Sequence, residues 1–154
     1  MPKRSKEDTE ITIQTIMDAV IDQLLTMGYE KMSYTTLSQQ TGISRTGISH
    51  HFPKKTDFTL LLTDRLFDLL LESLEVGKTL DDFKASWLSA LQRNPDFRAI
   101  LRVLFYHMIS SDGAQLYVHQ TLAKLSLLLE KQWGATSQSS LEWLVGKSLI
   151  TLNE

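Results

Sequence analysis

Arg45, Thr46 and His50 bring three polar side chains into one short stretch, which runs from Thr41-Gly42-Ile43-Ser44 to His51. An arginine guanidinium can donate two parallel hydrogen bonds to the O6 and N7 acceptors of a guanine, and threonine or histidine can meet neighbouring base edges. That chemistry needs a slim helix offering its first turn to a groove. The flanking residues supply one. Ser33 suits an N-cap, because its hydroxyl can accept from a free amide of the next turn. A short helix follows with Leu37 facing inward, and Gly42 can take the positive φ that ends it. Ser44 caps a second short helix that opens at Arg45. Gly47 has no side chain to read with, and lets the backbone approach closely. Two short helices joined by a glycine turn make a helix-turn-helix, whose second helix enters a major groove by its N-terminal end. Ile48 and Phe52 belong to the core on any reading.

Two short helices need further elements to hold them. From Thr9 to Met27 apolar residues fall at Ile13, Ile16, Met17, Val20, Leu24 and Met27. This is helical spacing, with Asp18, Asp22 and Gln23 on the other side. Residues 1–8 read as a polar arm, in which Lys3, Arg4 and Lys6 are either solvated or in contact with phosphate. A helix from about Lys55 to Glu75 is apolar on several sides, as expected of one buried between layers. Thr79 to Asp82 opens another with a capping box, and carries Phe83, Trp87 and Leu91 on one face. Asn94-Pro95 caps and starts the next, expected over 95–110, with an apolar stripe that ends at Met108. Ala114 to Trp133 carries two stripes, one at Leu116, Ala123 and Leu127, the other at Val118, Leu122, Leu125 and Leu129. After a loop at Gly134 to Gln138, Ser139 or Ser140 caps a last helix in which Gly146 and Ser148 allow close approach. Nothing reads as strand, so the prediction is all-α with about eight helices.

The 154 residues can bury a core without staples. Cysteine is absent, which excludes disulfides and thiolate metal sites. The histidines show no metal-ligand spacing, and the adjacent His50 and His51 should point in different directions. The net charge of −2 excludes a generally basic coat, so any phosphate contact must be local. No signal peptide or membrane-length apolar run is visible, which points to the cytoplasm. No nucleophile motif or phosphate-binding glycine loop appears, and Asp81 and Asp82 sit where a helix N-terminus favours acids. Neither an enzyme nor a cofactor is expected.

The order of helix, Gly28-Tyr29, short helix, Thr41-Gly42-Ile43-Ser44 turn and Ile48-x-x-His51-Phe52-x-x-Lys55-x-x-Phe58 resembles the DNA-binding region of the tetracycline-repressor (TetR) family. The resemblance spans roughly residues 9 to 60. It implies a DNA-binding domain at 1–54 and a helical effector-binding and dimerisation domain at 55–154. It implies a homodimer on a palindromic double-stranded DNA operator, acting as a repressor that a small molecule releases. It also implies that His51 and Lys55 hold phosphates and that Thr35 touches DNA. The DNA-contacting set is then Thr35, Ser44, Arg45, Thr46, Gly47, Ser49, His50, His51 and Lys55. The family usually has tyrosine where Ser49 stands, and serine is too short to bridge the same gap to a phosphate.

A pocket for a small hydrophobic effector is expected among residues 79–133, lined by Phe83, Trp87, Leu104, His107, Met108 and Leu122. These residues also fit a plainer reading: aromatic and methionine positions at helical spacing make core, and a lone histidine there fits a satisfied structural group. Dimerisation is expected through residues 114–152, where apolar positions lie on more than one side. Two other readings stay open: a DNA-binding regulator without a small-molecule effector, and a helical protein-interaction module.

Overall fold

The computed structural model describes residues 5–154, which form nine α-helices with no strand among them. In chain order they are α1 (Lys6–Thr26), α2 (Tyr34–Thr41), α3 (Arg45–His51), α4 (Thr56–Leu61), α5 (Thr63–Glu72), α6 (Leu80–Arg93), α7 (Pro95–Ile109), α8 (Gln115–Trp133) and α9 (Ser137–Thr151). The all-α class matches the sequence reading. The ninth helix arises because the helix expected over 55–75 is two. At Leu62 the backbone leaves helical values (φ −106°, ψ 12°), and its amide reaches back only to the Thr59 carbonyl, at 3.2 Å. Two threonines flank the break. Thr59 Oγ1 donates to the Thr56 carbonyl at 3.1 Å, and Thr63 Oγ1 to the Leu60 carbonyl at 2.9 Å. Such side-chain bonds compete with the helical ladder.

The first helix begins earlier than Thr9. Ser5 Oγ accepts from the Asp8 amide at 3.1 Å, and the Asp8 carboxylate accepts from the Ser5 amide at 3.3 Å. This reciprocal cap is worth about 1 kcal/mol, and it puts Lys6 in the helix rather than in an arm. Lys3 and Arg4 lie outside the described residues. Gln23, expected on the polar face, is buried instead. Its Nε2 donates to the Thr36 carbonyl at 3.0 Å and to Gln40 Oε1 at 2.8 Å, and its Oε1 lies 2.7 Å from Thr36 Oγ1. A buried amide satisfied on both sides clamps α1 onto α2. Asp18 does face outward, where Arg65 of α5 approaches its carboxylate to 2.8 Å and lowers its pKa.

The core is one contiguous cluster running from Ile16 and Leu37 through Phe58, Leu66 and Leu101 to Leu125 and Leu144. The helix α7 packs against α1, α5, α6 and α8. At its start, Asn94 Oδ1 accepts from the Asp96 and Phe97 amides at 3.0 and 3.1 Å, with Pro95 in the first helical position, as its sequence predicts. The last helix begins at Ser137, ahead of Ser139 and Ser140, because Ser137 is buried and its hydroxyl closes a turn onto the Gly134 carbonyl at 2.6 Å. Of the small residues expected to permit close approach, Ser148 is in contact: Trp87 Nε1 donates to its hydroxyl at 2.7 Å. Gly146 faces open space.

Candidate nucleic-acid interface

The two short helices are fixed by their caps. Ser33 Oγ accepts from the Thr36 amide at 3.1 Å, starting α2. Gly42 closes it with φ 73°, a left-handed value that an L side chain rarely adopts, and its amide donates to the Ser38 carbonyl at 2.9 Å. Ser44 Oγ then accepts from the Gly47 amide at 3.0 Å and starts α3. A Cβ on Gly47 would lie 3.1 Å from Ile43 Cγ2 and 3.2 Å from Ser44 Oγ, so the cap itself favours glycine there. From below, Ile48 is buried, and Phe52 stacks on Phe58 with centroids 5.0 Å apart. The Tyr34 hydroxyl donates to the Phe52 carbonyl at 2.6 Å, tying the start of α2 to the end of α3. Tyr34 was not singled out from sequence, and Gln23 was placed on the polar side of its helix. The available signal is that a buried hydroxyl or amide must find a partner.

On this frame the candidate residues fall into three groups. Ser44, Thr46, Gly47, His50 and His51 line one open depression of about 610 Å³, together with Thr9 and Thr12 of α1. Arg45 and Thr35 form a second group: Arg45 Nη1 donates to Thr35 Oγ1 at 3.5 Å, and both side chains are exposed. Among the described residues no acid lies within ion-pair distance of Arg45. Ser49 and Lys55 stand apart. Ser49 Oγ is turned onto its own helix, donating to the Thr46 carbonyl at 3.1 Å. Lys55 Nζ donates to the Glu30 carbonyl at 3.3 Å and lies 4.4 Å from the centre of the Tyr29 ring. Partial burial lowers its pKa, and Glu30 opposes that shift. His50 and His51 do not diverge as expected. Their rings meet edge to face, 5.1 Å apart, at the last turn of α3, where the chain leaves the helix at Phe52.

Beyond the helix-turn-helix, a family profile described as the tetracycline repressor LuxT C-terminal domain matches residues 63–152. The chain belongs to the tetracycline-repressor-like family. The matched span starts at the first residue of α5 and takes in α9, so it lies wholly outside the helix-turn-helix residues. No curated protein matches the chain. Among the described residues no helix is long and apolar enough to cross a membrane, and no three His, Asp or Glu side chains group where they could share a metal ion.

In this TetR-like chain the six ligand-contact candidates are divided. Phe83 and Trp87 are buried in an aromatic stack, with Phe83 5.4 Å from Trp133 and Trp87 edge-on to Phe97 at 5.3 Å. Leu104 is buried, Leu122 half-buried, and Met108 exposed. His107 belongs to a different group. It is fully buried, with Nε2 3.1 Å from Thr59 Oγ1 of α4 and Nδ1 2.9 Å from Asp112 Oδ2. The Tyr29 ring lies edge-on at 4.4 Å and Tyr117 at 5.7 Å. Burial pushes the pKa of His107 down, while Asp112 pulls it up. Through this histidine α7 meets both the turn after α1 and the helix that follows the helix-turn-helix.

Proposed function

We propose that this TetR-like protein is a DNA-binding transcriptional regulator, a homodimer that places one α3 in each half of a two-fold operator and represses by occupying it. The observation that carries this reading is the exposed first turn of α3, with no acid partner for Arg45 among the described residues, in a chain whose helices α5 to α9 match a tetracycline-repressor profile. Arg45 reads a base, with Thr46 and His50 beside it. Thr35, Ser44, Gly47 and His51 face the backbone. Lys55 has N–H donors left for a phosphate after its bond to Glu30, and Ser49 contributes little. The DNA-binding domain takes residues 1–54 and the regulatory domain 55–154. Such a protein works in the cytoplasm, where DNA is accessible, and carries out no catalysis.

Dimerisation is supported by the outward faces of α8 and α9. Leu116, Leu127, Trp143, Leu149 and Ile150 are all exposed there, and apolar faces of this kind pair across a two-fold axis as a four-helix arrangement. Release by a small hydrophobic effector is part of this reading. A regulator without an effector is the second reading, favoured by the tight stack of Phe83, Trp87, Phe97 and Trp133. The test is binding to random-sequence duplex at rising salt, followed by fluorescence anisotropy. Affinity should fall linearly on logarithmic axes, by roughly one unit of slope per phosphate contact. A protein that binds no duplex even at low salt is an interaction module instead.

A further inference from the structure

A cleft of about 300 Å³ opens between the C-terminal end of α1, the turn that follows it, and α7. It is distinct from the region of Phe83 and Trp87. Its apolar wall is built by Leu24, Leu25, Val103 and the Tyr106 ring, and Arg102 and Lys31 stand at its edge. Neither cation has an acid within ion-pair distance among the described residues. Glu30 is the one acid in the wall. A second depression continues past Leu25 and Ala99, and adds Arg93 and Arg98 but no acid. The balance along the cleft is cationic over an apolar floor. Gly28, at φ 85°, turns the chain sharply there and leaves the opening beside α7 clear of any side chain of its own.

The geometry points to a ligand site in this cleft for a small apolar monocarboxylate, its chain along Leu25 and Val103 and its carboxylate on Arg102. The volume is at the low end of the range for small-molecule sites. At roughly 30 Å³ per water-sized group it holds about ten non-hydrogen atoms. An arginine fork matches a carboxylate better than any neutral group. The cleft also joins the two halves of the chain. Tyr29 of the turn and Tyr106 of α7 both line it, with their rings in contact at 5.0 Å, and Tyr29 also contacts Lys55 and His107. A bound ligand would bias the seat of the turn after α1, and with it α2. That regulatory consequence rests on the DNA-binding reading, whereas the binding itself does not.

Octanoate, with octanamide as its neutral counterpart, tests the site. Amide shifts of the isotope-labelled full chain are followed by NMR without DNA. Octanoate should saturably shift Gly28, Lys31 and Ala99, and bind about three- to ten-fold more tightly than octanamide. Arg102→Gln should bring octanoate down to the level of octanamide, and Ala99→Trp should block both by filling the cleft. Arg102 is exposed, so its variant remains informative even where Ala99→Trp fails to fold. No saturable shift, shifts confined to α8 and α9, or equal binding of acid and amide by parent and Arg102→Gln would each overturn the proposal. A protein that binds octanoate here but selects no DNA would sink the regulator reading and leave this site standing.

Discussion

Arg45 and Lys55 are both cations near α3, yet their surroundings differ, and so do the roles proposed for them. Arg45 stands at an exposed helix start with its guanidinium on the Thr35 hydroxyl, so Arg45→Ala should cost about 1–3 kcal/mol on the preferred operator and relax one position in each half-site. Lys55 is already engaged by the Glu30 carbonyl and the Tyr29 ring. Lys55→Ala should weaken all duplexes alike, lower the salt slope by about one unit, and also reduce stability by about 0.5–1.5 kcal/mol in urea denaturation. An Arg45→Ala variant that keeps full sequence preference would show that another residue reads the base. His107 makes a prediction about pH. Its burial beside Thr59 and Tyr117 keeps the folded pKa below the ordinary value near 6.5, against the pull of Asp112. The unfolded chain then binds more protons between the two pKa values, so stability rises with pH there and is lost as pH falls below about 6.5. His107→Asn should flatten that acid-side slope in thermal melts, and an unchanged slope would assign it to other groups.

At the scale of elements, the buried amide of Gln23 ties α1 to α2, beside the bond from Gln40 Nε2 to the Asp22 carboxylate. Gln23→Ala would leave the Thr36 carbonyl and the Gln40 side chain without their donor, and should cost about 1–3 kcal/mol by denaturation. A loss below about 0.5 kcal/mol would mean that water replaces the amide. This element also marks where the sequence was legible. Ser33, Ser44, Thr79 and Asn94 were readable because capping is local: the partner amide lies two or three residues away. Gly42 was readable because a left-handed residue ends the helix. The Ser5 cap was equally local, but charged neighbours made it look like a tail. Gln23 was misread because only tertiary partners on α2 distinguish a buried amide from an exposed one. The break at Leu62 was invisible in a run of leucines, since its cause lies in the hydroxyls of Thr59 and Thr63. For the candidate contacts of α3, the residue types were legible. The inward turn of Ser49 and the seat of Lys55 on Tyr29 depend on the fold.

For the whole molecule, the two stripes of α8 separate into a buried and an exposed one, on which the proposed dimer rests. Val118, Leu125 and Leu129 are buried, while Leu116 and Leu127 are exposed, alongside Trp143, Leu149 and Ile150 of α9. Leu149→Glu with Ile150→Glu should shift the protein from dimer to monomer in light scattering, with helix content kept in circular dichroism. A clean dimer after both changes would move the interface elsewhere. The central claim is that two copies of α3 read one two-fold DNA site, and selection of bound duplexes from a random pool by the purified protein tests it most directly. The enriched sequence should be a palindrome with half-site centres about one helical turn apart or a multiple of that, and the same selection with Arg45→Ala should lose one base pair of preference at symmetric positions. A pool that shows no enrichment, or an asymmetric motif that Arg45→Ala leaves intact, would contradict it.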